Sequence, residues 1–234
     1  MRRALVVVVL AASAMLASCA EPAAKDVGRA LFRDPRLSPS EFNDVSCSTC
    51  HDDGSGEGEA LKRSGHPLTD TAFRPSWWGG NAPTLKDAVD HCLVFFMRAP
   101  PLQRDAPASR ALYEHLLSIS PSTSAPPLPL TVVENITSLP KGDPREGERI
   151  YAAACAACHG DAFTGAGRLN ELTSIVPGDS VSFAEQSGFP LSTVIIEKVR
   201  HGSFFAIGGT MPPYSVEAMS DDELSALIGY LDPI

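Results

Sequence analysis

Cys47-Ser48-Thr49-Cys50-His51 and Cys155-Ala156-Ala157-Cys158-His159 are one pattern written twice, 108 residues apart. With six cysteines and six histidines in 234 residues, a single chance match has odds of about a few in a thousand. The flanks repeat too. Before the second motif, Asp143 is placed to cap a helix, Pro144 suits its first position, and Ile150, Tyr151 and Ala154 share a face. Before the first, Asp26 precedes Val27, Ala30 and Leu31 at helical spacing. After the second motif, 191–200 reads as a helix and 208–213 as a loop. Ser220-x-x-Glu223 then opens a helix carrying Leu224, Leu227, Ile228 and Leu231. After the first, 84–96 reads as a helix, 98–107 as a loop, and 108–118 as a closing helix with Leu112, Leu116 and Leu117. The expectation is an all-α chain in which each copy runs helix, motif, long loop, helix, second loop, closing helix.

The spacing has a chemical reason. Two thiols three positions apart can form thioethers to the two vinyl groups of one haem, and the adjacent histidine supplies a proximal nitrogen to iron. A structural zinc needs four ligands where each motif offers three. A thioredoxin-like pair calls for a βαβ setting that the flanks do not suggest, and a disulfide leaves the repeated histidine unexplained. The motifs therefore predict two covalently bound haem c groups, on Cys47 and Cys50 with His51, and on Cys155 and Cys158 with His159. The element order resembles the class I cytochrome c fold. The expected organisation is two tandem class I cytochrome c domains, 24–119 and 142–234, joined by a Pro-rich linker over 120–141. That linker holds Pro121, Pro126, Pro127, Pro129 and Pro140 and reads as semi-extended.

The distal ligands differ in how they are signalled. Met211, 52 residues after His159, precedes Pro212-Pro213 ahead of the closing helix. In the class I family this Met-Pro-Pro position carries the thioether ligand, and Met219 is the weaker competitor. His201 reads as a surface or propionate-contacting residue. In the first copy the candidates are Cys92 and Met97. Leu85, Ala88, Val89 and Cys92 share a helix face, and on a continuous helix Cys92 and Met97 stand roughly 140° apart. Pro100 and Pro101 allow the helix to end first, so both remain open. Trp77-Trp78-Gly79-Gly80 is expected to pack over the first haem. His66, His91 and His115 read as surface or core residues, His66 being a distant third ligand candidate.

The run from Val89 through Cys92 to Arg98, with Pro101-Leu102 and Ser109 to Leu112, resembles the N-terminal domain of dihaem thiosulfate dehydrogenases. That resemblance implies a cysteine thiolate ligand at Cys92 and a catalytic first haem. Gly28-Arg29-Ala30-Leu31-Phe32 ahead of residues 46–51 also resembles the start of dihaem peroxidases. Two functions follow as expectations. One is single-electron transfer between redox protein partners: a dehydrogenase, an oxidase or another cytochrome. The alternative is a thiosulfate dehydrogenase or tetrathionate reductase with Cys92 at the active site, for which Arg98 and Arg104 are the nearest cations to guide an anion. No further groups are arranged as a general acid or base, so the first is the leading expectation.

Residues 1–18 carry Arg2 and Arg3, a short apolar run and small residues before Cys19, the pattern of a lipoprotein signal peptide. Lipidation of Cys19 would tether an exported protein to the periplasmic face of a bacterial membrane. Nineteen basic against 28 acidic side chains give −9, and removal of Arg2 and Arg3 leaves 17 against 28, −11. Such a balance repels phosphate backbones and argues against nucleic-acid binding. Asp52-Asp53 with Glu57 and Glu59 reads as a solvated acidic loop that can favour a basic redox partner. Asn135-Ile136-Thr137 is a formal glycosylation sequon taken as coincidence.

Overall fold

The structure, a computed structural model, describes residues 21–131, 133–135, 138–202 and 211–232. Cys19, the segment 1–18, Ile136-Thr137 of the sequon and Gly208 to Thr210 lie outside the described residues. Among the described residues the fold is helical, with no strand beyond one isolated bridge between Trp77 and Ala82. No described helix is long and apolar enough to cross a membrane.

The first half holds α1 (Ala24–Arg33), α2 (Cys47–Cys50), α3 (Leu85–Phe95) and α4 (Pro107–Ser118). The second holds α5 (Pro144–Ala154), α6 (Ala156–His159), α7 (Gly178–Ser187), α8 (Leu191–His201) and α9 (Asp221–Leu231). The expected start signals operate locally. Asp143 accepts the Arg145 amide at 3.0 Å with Pro144 at the first helical position. Thr84 accepts the Asp87 amide at 3.1 Å to open α3. Ser220 and Glu223 exchange both bonds of a capping box.

In each half the first helix crosses the closing helix at a glycine: α1 meets α4 at Gly28, and α5 meets α9 at Gly147. A Cβ on Gly28 would stand 1.9 Å from the Ala111 carbonyl oxygen, and one on Gly147 would stand 2.1 Å from that of Ala226. The crossings match residue for residue. Phe32 lies against His115 with ring centroids 5.3 Å apart, and Tyr151 against Tyr230 at 5.8 Å. This contact displaces the expected face of α1: Gly28 and Phe32 are buried, while Val27 and Ala30 are exposed. Asp26 lies in the first turn, where its charge suits the helix dipole.

The second half has the larger core, with Leu224, Leu227, Ile228 and Met219 sealed between α5, α8 and α9. Each of the three aliphatic side chains contributes about 1.5–3 kcal/mol by leaving water. Met219 is packed in this core, with its carbonyl held by Arg200 Nη1 at 2.7 Å. α7 was not expected; its sequence buries only Ala184 and so carries little amphipathic signal.

The halves meet along a seam. The Lys62 amide donates to Ala153 O at 2.9 Å, and the Lys62 ammonium pairs with Glu223 at 2.8 Å. Tyr214 Oη donates to Ala154 O at 2.9 Å, with Lys62 O at 3.3 Å. The connecting segment is tied to both halves near its middle: Pro129 O is 2.9 Å from His66 Nε2, and Thr131 donates twice to the Glu217 carboxylate, at 2.6 and 3.1 Å.

Candidate functional site

The first motif forms a single helical turn. Ser46 caps it, its amide bonded to Thr49 Oγ1 at 3.0 Å, so Cys47 and Cys50 emerge on one side. His51 follows in extended backbone with Nδ1 2.8 Å from the His66 carbonyl oxygen. A carbonyl only accepts, so Nδ1 carries the proton and Nε2 keeps the lone pair that a metal requires. The second motif repeats this arrangement at the same offset of fifteen residues: His159 Nδ1 lies 2.9 Å from Ser174 O. Gly65 is required beside the first ring, since a Cβ there would stand 2.4 Å from His51 Cε1.

Cys47, Cys50 and His51 open into a cavity of ≈190 Å³. Its walls include Trp77, Trp78, Cys92, Leu93, Phe96 and Met97. Trp78 is stacked on Phe96 with centroids 6.0 Å apart, and Trp77 Nε1 donates to Thr71 Oγ1 at 3.1 Å. Both candidate distal ligands reach the cavity because α3 stops at Phe95 and Arg98 takes a left-handed φ of 53°. Met97 is also packed with Val45, Leu93 and Ala99. Burial raises the Cys92 thiol pKa steeply, and Cys47 and Cys50 raise it further, so as a free side chain Cys92 is a thiol. Only a cation such as iron would hold its thiolate there. Burial pushes Cys47 up to about 12 and lowers His51, which favours the neutral imidazole a metal binds.

Part of this wall was not legible in the sequence. Leu128 and Leu130 of the connecting segment line the cavity, as do Pro212 and Pro213 from the far half. Arg74 and the imidazoles of His51 and His66 are the basic side chains that line it, whereas Arg98 and Arg104 are not among the lining residues. His66 is turned away from a ligand role by the Pro129 carbonyl at its Nε2. His91 stands beside Trp78 and Phe95, outside the lining.

In the second half Cys155 closes α5 and opens α6, so helix position fixes the motif. Burial pushes its thiol up to about 12, with Cys158 adding to the rise. Met211 is half-buried against the core. The chain after it is clamped by Arg200, whose Nη1 reaches the carbonyls of Tyr214, Ser215 and Met219 at 3.1, 3.2 and 2.7 Å while Nη2 pairs with Asp221 at 2.6 Å. Gly202, at φ 58°, lets the end of α8 lie against the Met211 carbonyl. His201 is buried, its Nδ1 2.9 Å from Glu197 Oε2 and its Nε2 2.5 Å from Val133 O, so it pins the connecting segment and is not a surface residue.

The two motifs are neighbours across the seam. Burial pushes the Cys50 thiol up to about 11; a hydrogen bond from Ser64 lowers it and Cys158 of the other motif raises it. Tyr214 is held protonated by burial, with Cys155, Cys50 and Cys158 all contributing.

Two family descriptions match the halves separately: "Di-haem cytochrome c peroxidase" over residues 22–107, and "Cytochrome C oxidase, cbb3-type, subunit III" over residues 142–231. With the doubled motif and the all-α fold, they define a dihaem c-type cytochrome bearing two covalently bound haem c groups. Within that class the chain resembles thiosulfate dehydrogenases. It is 30% identical to the thiosulfate dehydrogenase of Stutzerimonas stutzeri (strain A1501) over 141 residues, 57% of this chain and 44% of the relative. A solved thiosulfate dehydrogenase from Marichromatium purpuratum is 19% identical, with a TM-score of 0.42 over 89% of this chain and 45% of that one. The chain thus spans less than half the length of either protein.

Proposed function

We propose that the protein is an electron relay, receiving single electrons at one haem and releasing them at the other to a redox protein partner. The observation that carries this reading is the apposition of the motifs: Lys62, twelve residues after Cys50, bonds to Ala153 just before Cys155, and Tyr214 bridges the same two segments. Bound haem c supplies reversible one-electron iron chemistry. The chain's own residues hold and orient it. Cys47 and Cys50 anchor the first group and His51 supplies its proximal nitrogen, fixed by the His66 carbonyl. Cys155 and Cys158 would anchor the second, with His159 and Met211 as the residues that would ligate its iron. A methionine thioether would favour reduced iron and so raise the potential of the haem that carries it. The net charge, −9 for the whole sequence and −11 without Arg2 and Arg3, suits a basic partner. Residues 1–18 act as an export signal in this reading, and Cys19 as a lipid anchor on the periplasmic side.

A second reading has one observation of its own: Cys92 faces the same cavity as Cys47 and Cys50, in a chain similar to a thiosulfate dehydrogenase. A thiolate at the first iron would make that haem the site of thiosulfate oxidation, with Arg74 as the lining cation for an anion and the second haem as the exit. Low-temperature EPR with near-infrared magnetic circular dichroism on the oxidised holoprotein, followed by anaerobic mixing with thiosulfate, separates the two. Two His/Met signatures and no bleaching by thiosulfate support the relay and assign Met97. A thiolate signature with direct reduction by thiosulfate replaces the relay with the enzyme.

A further inference from the structure

Lys62 meets the second half in three ways: through its amide, its carbonyl and its ammonium. Two of these contacts converge on the residues around Ala154, and Tyr214 is the side chain that closes the bridge. It is 7% exposed, and its hydroxyl sits between the Ala154 and Lys62 carbonyls at 2.9 and 3.3 Å. Three residues before it stands Met211, and Pro212 and Pro213 between them line the first cavity. One four-residue segment therefore touches both sites.

We infer that Tyr214 is a positioning residue for electron transfer between the two haems: it ties the loop after the first motif to the helix that ends in the second, and so fixes the separation of Cys50 and Cys158. The inference rests on the relay reading above. One electron passes from one haem to the other with no bond made or broken and no proton moved, and Tyr214 stays a neutral phenol throughout. A phenylalanine fills nearly the same volume but withdraws the donor from both carbonyls. A hydrogen bond of this kind contributes about 1 kcal/mol net, which corresponds to about a fivefold change in an opening equilibrium.

The test compares holoprotein of the wild type, Tyr214→Phe and Lys62→Met, each confirmed by mass to carry two haems. Hydrogen exchange at the Lys62 amide reports the seam, and flash injection of one electron followed by optical equilibration reports inter-haem transfer. The expected result for Tyr214→Phe is Lys62 exchange about fivefold faster, with inter-haem equilibration measurably slowed and both potentials and axial-ligand spectra unchanged. Lys62→Met keeps both backbone contacts and is expected to slow transfer less. An unchanged rate in Tyr214→Phe overturns the inference and leaves the relay standing. A wild type with no inter-haem step overturns the relay itself, and the inference with it. If Tyr214→Phe does not load both haems, hydrogen exchange in the wild type decides: a Lys62 amide that exchanges as fast as an unprotected one shows a seam that fixes nothing and overturns the inference.

Discussion

Replacing Gly147 with alanine tests the helix crossing on which the second site is built. The added Cβ would stand 2.1 Å from Ala226 O, 2.7 Å from Ala226 C and 2.7 Å from Tyr230 Cβ. Ordinary contact begins at 3.4 Å, so the crossing must open by about 1.3 Å, and the obstructing atoms are backbone that no rotamer change can move aside. Overpacking of this kind costs about 1–3 kcal/mol, and backbone against backbone puts it at the upper end. Alanine recovers about 1 kcal/mol through helix propensity. The net loss is about 2 kcal/mol, equivalent to about 4–8 °C in Tm for a chain of this length. Because Cys155 closes α5, the same displacement reaches the motif, so the visible circular dichroism of the second haem should change along with the Tyr151–Tyr230 signal in the near ultraviolet. Gly178→Ala is the matched control. It too lies in a helix, but its added Cβ would meet only Ile175 Cγ2, 4.0 Å away, and it should be neutral or stabilising by up to about 1 kcal/mol. Equilibrium urea unfolding followed by circular dichroism measures both. Gly147→Ala matching or exceeding the stability of the wild type would refute the close crossing.

Arg200→Met withdraws a buried guanidinium from three carbonyls and from Asp221. Asp221 is itself exposed, so a loss of about 1–3 kcal/mol is expected from the carbonyls left without their donor, with weakening of the red absorption band of ferric His/Met haem as the Met211 segment loosens; an intact band would show that Arg200 does not support the ligand. The carboxyl of Glu217 is affected by burial, which raises its pKa, but bonds from Thr131 and Ser215 outweigh this and hold it at about 2, against an ordinary 4.5. A depressed carboxylate stabilises above its unfolded pKa and loses that contribution as pH falls from about 4.5 toward 2. Amide exchange at Thr131 should therefore rise across that window in the wild type and be high and pH-independent in Glu217→Gln after correction for intrinsic rates. Cys158→Ala should leave the second haem on one thioether while the first keeps two, as read by pyridine haemochrome spectra; two intact pairs would contradict the assignment.

The features most legible in the sequence were those written in local chemistry. The doubled motif, the Asp143-Pro144 start and the Ser220–Glu223 box each depend on residues within one turn of each other, and each is found in place. α7 was missed because a helix burying only Ala184 has no periodic apolar stripe to detect. The true face of α1 was hidden by its reliance on Gly28, which has no hydrophobicity to register, although the parallel spacing of Gly28 to Phe32 and Gly147 to Tyr151 was present to be read. The carbonyls that orient His51 and His159 are backbone groups and leave no trace in side-chain identity. Cys92 and Met97 looked exclusive only on a continuous helix; the break after Phe95 lets both approach one cavity.

The walls supplied by Leu128, Leu130, Pro212 and Pro213 lie far along the chain from the motif whose cavity they line. A fragment ending before residue 128 would keep all the covalent anchors of the first haem yet lack part of the cover that excludes water from it. The covalent anchors of the first haem thus lie within five consecutive residues, whereas the apolar walls around it are drawn from residues as far along the chain as Pro213.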